Sequence, residues 1–210
     1  MDALSQIEHK YGFMLPSAYR SFAERGYLTY PGKAYLWVHE AEWLPTAAIL
    51  DQGGFWGRPK PGLVAFAFSG GRDLWAWQTQ RTSDACEPAI AYCPRDCYEG
   101  WWHAPSLLGW LYRIGLEYAS LIACEEAEAK RNLQKWASVL REFEKRQWAD
   151  ALESVARRNV MVSRAGLRGQ FVHKALISRS EVNDRILADF GAGFISTPYI
   201  WDVGGEPATG

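Results

Sequence analysis

Cysteine is scarce in this chain and poorly spaced for chemistry. Cys86, Cys93, Cys97 and Cys124 are the four present, and no two form a Cys-x-x-Cys pair. A structural zinc site needs four ligands with tight local pairing. Cys93, Cys97 and His103 offer only a poor approximation, so buried or free thiols are the expected state. Histidine is equally thin. His9, His39, His103 and His173 fall in different segments, with no His-x-Glu or His-x-x-x-His arrangement. A Gly-x-Ser-x-Gly elbow is missing. Ser69-Gly70-Gly71 and Gly53-Gly54 lack the Gly-Lys-Ser/Thr that would make either a phosphate loop, and they read as turn glycines. Glu8, Glu24, Asp73 and Glu99 are carboxylates that nothing in the sequence pairs for acid–base work. No catalytic residue, metal or cofactor is expected, and the chain reads as a non-enzyme.

Long apolar runs are also absent. Nothing approaches the ~18 consecutive apolar residues of a membrane span, and the first ten residues lack a basic stretch followed by an apolar one. A cytoplasmic location with no membrane partner is the expectation. Strong charge of either sign is missing too. The formal net charge is −1, so no overall field draws the chain to nucleic acid. The charge is nevertheless uneven. Residues 1–128 hold 10 Lys and Arg against 15 Asp and Glu, while residues 129–210 hold 13 against 9. Such asymmetry predicts two surfaces of different electrostatic character.

What the chain does have is aromatic side chains and a clear order of elements. Residues 2–10 carry Leu4, Ile7 and Tyr11 at helical spacing, and Gly12 supplies a stop. Pro16 suits the first turn of a second helix through Tyr19 and Phe22, ended by Gly26. Residues 34–39 read as a strand rich in aromatic and β-branched residues, and residues 51–61 as a Gly/Pro loop. Residues 63–68 and 74–78 read as strands joined by the turn Ser69-Gly70-Gly71-Arg72-Asp73, with a short strand at 88–92. Past Pro105 the spacing turns helical, with Leu107, Leu108, Leu111, Ile114 and Tyr118 on one face. Residues 125–158 continue as one helix or two, carrying Leu133, Trp136, Leu140 and Phe143. Ser178 and Glu181 fit a capping box opening a last helix that Gly191 closes. The end of the chain, from Pro198, reads as loosely ordered. The expected class is α+β: an antiparallel sheet with N-terminal helices, and a C-terminal helical extension packed on one face.

This order, with particular residues at particular places, resembles the SUKH superfamily. The opening pattern is Glu8, Gly12, Leu15-Pro16, Tyr19, Phe22 and Gly26. The central one is the strand–turn–strand Phe66-Ala67-Phe68-Ser69-Gly70-Gly71-Arg72-Asp73-Leu74-Trp75, with one extra residue between the glycines and the aspartate. The closing one is Ala104-Pro105-Ser106-Leu107-Leu108-Gly109-Trp110-Leu111. The resemblance covers about residues 1–120 and implies a domain at 1–124, leaving 125–210 as a mainly helical extension. It implies a binding fold and, for bacterial members, an immunity protein that occludes a cognate polymorphic toxin of nuclease or deaminase type. A signalling or scaffold module and a small enzyme with an unrecognised site are the alternatives.

A partner surface would draw on aromatic and acidic residues. Trp and Tyr desolvate large areas at low entropic cost. Trp37, Phe66 and Phe68 alternate within strands and read as core. Trp75 and Trp77 share one strand face. Phe55-Trp56, in the loop, and Trp101-Trp102, before a helix, are the aromatics with least reason to be buried. Glu40, Glu42, Asp51, Asp73, Asp84 and Glu87 supply the acidic excess that would suit a basic toxin face. The partner-binding set expected is therefore Glu40, Glu42, Asp51, Phe55, Trp56, Asp73, Trp75, Trp77, Trp101 and Trp102. Lys130, Arg131, Lys135, Arg141, Lys145 and Arg146, interleaved with Glu142 and Glu144, read as a salt-bridged exposed face rather than a nucleic-acid site.

Overall fold

The computed structural model describes residues 2–52, 62–82, 87–95, 97, 99–165, 171–195 and 198–200. Its contacts separate the chain into two units, residues 1–107 with 192–210, and residues 108–191. The expected α+β class is what is observed. Among the described residues there are seven α-helices, one six-stranded antiparallel sheet and one two-stranded hairpin.

The first unit opens with helix α1 (Ala3–Tyr11). Asp2 caps it by accepting from the Ser5 N–H at 2.7 Å, and Gly12 ends it in the left-handed region at φ 67°. The Glu8 carboxylate accepts the Leu15 N–H at 2.8 Å and pairs with Arg20. One side chain thereby fixes the link from α1 to α2 (Ser17–Glu24), on which Ala18, Tyr19 and Phe22 are buried. After α2 the backbone does not form the strand expected at 34–39. Leu36 and Val38 are buried and Trp37 faces out, which is the alternation that suggested a strand. The backbone partners lie elsewhere, however. Leu36 N–H donates to Tyr27 O at 2.8 Å, and the Trp43 indole N–H donates to Leu36 O at 2.9 Å. The edge strand is instead the two-residue β1 (Glu42–Trp43), followed by α3 (Thr46–Leu50).

The sheet continues with β2 (Leu63–Phe68), β3 (Leu74–Thr82), β4 (Pro88–Cys93) and β5 (Glu99–Ala104), each antiparallel to the last. It closes on β8 (Pro198–Ile200), which pairs with β5. Those three residues of the tail expected to be loose are thus an edge strand, while 201–210 lie outside the described residues, and Trp101-Trp102, expected just before a helix, lie within β5. Register slips at Phe66, between Ala65 and Ala67, as a bulge does. Beside it the Gln52 amide accepts the Ala65 N–H at 2.9 Å and donates to Ala65 O at 3.1 Å. A buried side chain here does what an adjoining strand would do for the ladder.

The second unit is built from α4 (Leu107–Ser120), α5 (Glu126–Glu142), α6 (Arg146–Ala156), the hairpin β6 (Met161–Ala165) and β7 (Phe171–Ala175), and α7 (Arg179–Phe190). The expected boundary at 124/125 moves to 107/108, because α4 packs against the helices that follow it. The Tyr118 ring meets Trp136 edge-on at 5.2 Å. A Cβ built on Gly115 would lie 3.1 Å from both methyls of Leu152 and 3.3 Å from the Trp136 ring. Gly115→Leu is therefore expected to destabilise the protein by about 2 kcal/mol through overpacking. Gly115→Ala should stay near neutral in a urea titration, since about 1 kcal/mol of helix propensity offsets the crowding. The 125–158 segment resolves into two helices, broken where Glu144 turns left-handed at φ 60°. The capping box is half formed: Ser178 Oγ accepts the Glu181 N–H at 3.1 Å, but the Glu181 carboxylate goes to Arg158 and Arg185 instead. Those two guanidiniums hold its carboxyl below the usual range. The hairpin is the element the sequence reading missed in this half.

Candidate functional site

One feature with room for a ligand among the described residues is a cleft of about 940 Å³ in the first unit, where the chain passes from α2 to β1. Its wall holds two of the acidic residues singled out by sequence, Glu40 and Glu42, with Tyr30, Tyr35 and Trp37 beside them. Glu40 sits at the tip of a tight turn closed by the Val38–Ala41 bridge and adopts φ 56°. A non-glycine residue there is held in a sparsely populated region, and the turn presents its carboxylate to solvent. His39 Nε2 lies 3.5 Å from the Glu40 carboxylate. Glu42 is exposed on β1.

The aromatic lining is open to water. Tyr30 is 78% exposed and Trp37 40%, and the Tyr30 and Tyr35 rings meet edge-on with centroids 5.2 Å apart. Burial raises the Tyr35 phenol above its ordinary value, and the Glu42 charge adds to the rise, so Tyr35 is a neutral hydrogen-bond donor at physiological pH. Two carboxylates and three π-faces make a surface whose chemistry suits a cation. The carboxylates supply Coulomb attraction, and the ring faces attract a guanidinium or ammonium within ~6 Å of their centroids.

The other expected partner residues are dispersed. Trp75 and Trp77 share a sheet face as expected, but that face is covered. They are 4% and 0% exposed and offer no surface to a partner. Trp77 is enclosed by Phe13, Tyr19 and Phe66, while Trp75 packs on Tyr92 and His103. Trp102 is buried too, alternating with Trp101, which is 41% exposed and stacks on Tyr92. Asp73 is spent within the sheet, accepting from Ser69 in its own turn, from Tyr92 on β4 and from the Arg95 backbone N–H beyond it. Asp51 is exposed at the end of α3, and Glu87 is half-buried ahead of β4. Phe55, Trp56 and Asp84 lie outside the described residues.

Tyr30 and Tyr35 were not among the expected site residues, and Trp37 was read as core. The signal for them was local: four aromatics, Tyr27, Tyr30, Tyr35 and Trp37, surround Pro31-Gly32. Reading 34–39 as a strand hid it, because a strand would have buried alternate rings. Among the described residues no group of three His, Cys, Asp or Glu side chains could hold a metal ion, and no helix is long and apolar enough to cross a membrane. Compared with family models, curated proteins and solved structures, the chain matches none of them.

Proposed function

We propose that this chain is a non-catalytic, immunity-type protein of SUKH character. It acts in the cytoplasm by binding and occluding a cognate toxin of nuclease or deaminase type through the first unit. The observation that carries this reading is the cleft, which sets Glu40 and Glu42 beside exposed Tyr30 and Trp37. A toxin that handles nucleic acid carries basic side chains at its active groove. An acidic, aromatic recess can seat one of them and block the groove without altering any bond. The SUKH resemblance is supported by the physical tasks of the residues that carry it. Glu8 ties α1 to α2, Gly12 and Gly26 take left-handed conformations at φ 67° and 73°, and Tyr19 and Phe22 fill the core.

The test is affinity capture from native cells, followed by calorimetry on the captured protein with wild type and with Glu40→Lys/Glu42→Lys. The expected result is one stoichiometric basic partner whose affinity falls at least ~100-fold on reversal, since like charges across an interface cost several kcal/mol. The melting temperature should be unchanged. A partner bound equally well by the reversed protein would remove the cleft from the interface, and an acidic partner would end the reading.

A further inference from the structure

The second unit carries a different surface. Helices α5 and α6 are joined by three residues, Phe143, Glu144 and Lys145, with Glu144 left-handed at the centre. A short turn of this kind joins the helices of both αα-hairpins and helix–turn–helix pairs. The hairpin β6–β7 follows directly, and β7 is bridged on its other edge by Ile122, in the link between α4 and α5 (Ile122 N–H to Lys174 O, 2.8 Å). Helix, bridging residue, helix, turn, helix and hairpin, in that order and with β7 central, is the topology of a winged helix–turn–helix.

Topology alone does not assign a ligand, but the chemistry of the exposed residues does. On α6 the side away from the core presents Gln147, Asp150 and Ser154, with Arg157 one turn further on. Three of these are types that read base edges in a major groove: an amide for adenine, a hydroxyl for several base edges, and a guanidinium for guanine or phosphate. Residues 145–175, from the start of α6 through the hairpin, hold seven Lys and Arg against two Asp and Glu. The two acids, Asp150 and Glu153, are both taken by Arg141 on α5. Of the cations whose side chains are described, Arg158 pairs with Glu181 and Lys145 lies over the Trp148 ring. Arg146 and Lys174 make no ion pair among the described residues, and Arg157, 70% exposed, reaches only Glu153 at 3.9 Å. Both carboxylates are thus paired, whereas Arg146, Arg157 and Lys174 remain available to phosphate.

We infer that the second unit binds duplex DNA, with α6 directed at the major groove and the β6–β7 hairpin alongside the backbone. The net charge of the whole chain conceals this, because the acidic first unit cancels it. The inference is independent of the cleft and of any toxin. The experiment uses the full chain and a fluorescent mixed-sequence DNA duplex of about 30 base pairs, read by anisotropy between about 50 and 200 mM NaCl. Expected is low-salt binding that weakens with a log–log slope of about −3, as release from three or four phosphates at ~0.9 each would give. Arg157→Glu should weaken binding at least ~tenfold, and Arg157→Gln by less. Lys33→Glu, in the first unit, makes the same change in net charge and should leave binding within about twofold. Absence of low-salt binding by the folded protein overturns the inference. So does equal loss in Arg157→Glu and Lys33→Glu, or displacement by duplex RNA but not by duplex DNA.

Discussion

Replacing Trp77 by alanine is expected to remove about 3–5 kcal/mol of stability, a large share of the ~5–15 kcal/mol that holds a typical domain together. The size follows from position. Trp77 stands on β3 at the point where helix, loop and sheet converge. Phe66 stacks on it at 4.6 Å, Tyr19 meets it edge-on at 4.8 Å, and Phe13 closes the remaining side at 5.7 Å. Alanine would leave a void lined by rings that are themselves fixed by α2 and the β2 bulge, so collapse around it is limited and the cavity cost is retained. Phenylalanine at the same place makes a sharper test. The Trp77 indole N–H is buried and finds no acceptor among the described residues, and an unmet donor costs roughly 1–3 kcal/mol. Trp77→Phe loses ring area but also removes that donor, and should therefore cost less than ~1.5 kcal/mol. A urea titration of both variants by far-UV circular dichroism reads the order. A Trp77→Ala protein within ~1 kcal/mol of wild type would show that the N-terminal helices do not depend on the sheet face beneath them.

The same residue marks how far the sequence alone can be read. That Trp75 and Trp77 share a face followed from the two-residue period of a strand, and the structure agrees. Whether that face meets water or a helix depends on residues about sixty positions away, and period alone is silent on it. Local signals with their own physics were legible. Ser178 caps a helix, Gly12 and Gly191 end helices, and the Ser69–Asp73 turn joins two strands. The elements missed are those whose identity comes from partners distant in sequence. Pro198–Ile200 becomes a strand only because β5 offers it an edge. Residues 34–39 have a strand's composition but no sheet neighbour, since Tyr27 and Trp43 take their backbone groups. The same holds for the cleft. Glu40 and Glu42 were visible as charges, whereas their juxtaposition with Tyr30 and Trp37 is a product of the chain's path between α2 and β1. The basic character of residues 145–175 was countable from the start, but the turn at Glu144 and the Ile122 bridge to β7 come only from the structure.

Asp73 gives the second large effect and separates folding from binding. Its carboxylate collects three donors: the Ser69 hydroxyl at 3.0 Å, the Tyr92 hydroxyl at 2.9 Å and the Arg95 backbone N–H at 2.9 Å. Ser69 Oγ in turn accepts the N–H groups of Gly71 and Asp73. Arg72, left-handed at φ 69°, is the residue whose conformation this network secures. Asp73→Ala leaves all three donors without their acceptor and should cost about 2–4 kcal/mol, since hydrogen bonds to a charged acceptor are worth more than neutral ones and are not additive. Asp73→Asn keeps an oxygen for the Arg95 N–H, and the Tyr92 hydroxyl can rotate to accept from its amide, while Ser69 Oγ, already accepting two N–H groups, loses its acceptor, so the loss should be smaller, about 1–2 kcal/mol. Tyr92 also carries the exposed Trp101 ring at a 22° interplanar angle, so releasing its hydroxyl loosens a ring that faces solvent. Charge reversal at Asp73 therefore weakens any partner contact through Trp101 only by lowering the melting temperature as well, whereas reversal at Glu40 and Glu42 acts on the partner with the fold intact. Thermal melts of Asp73→Lys and Glu40→Lys, run beside their binding curves, distinguish the two. An Asp73→Lys protein that melts like wild type yet fails to bind would place Asp73 in the interface itself.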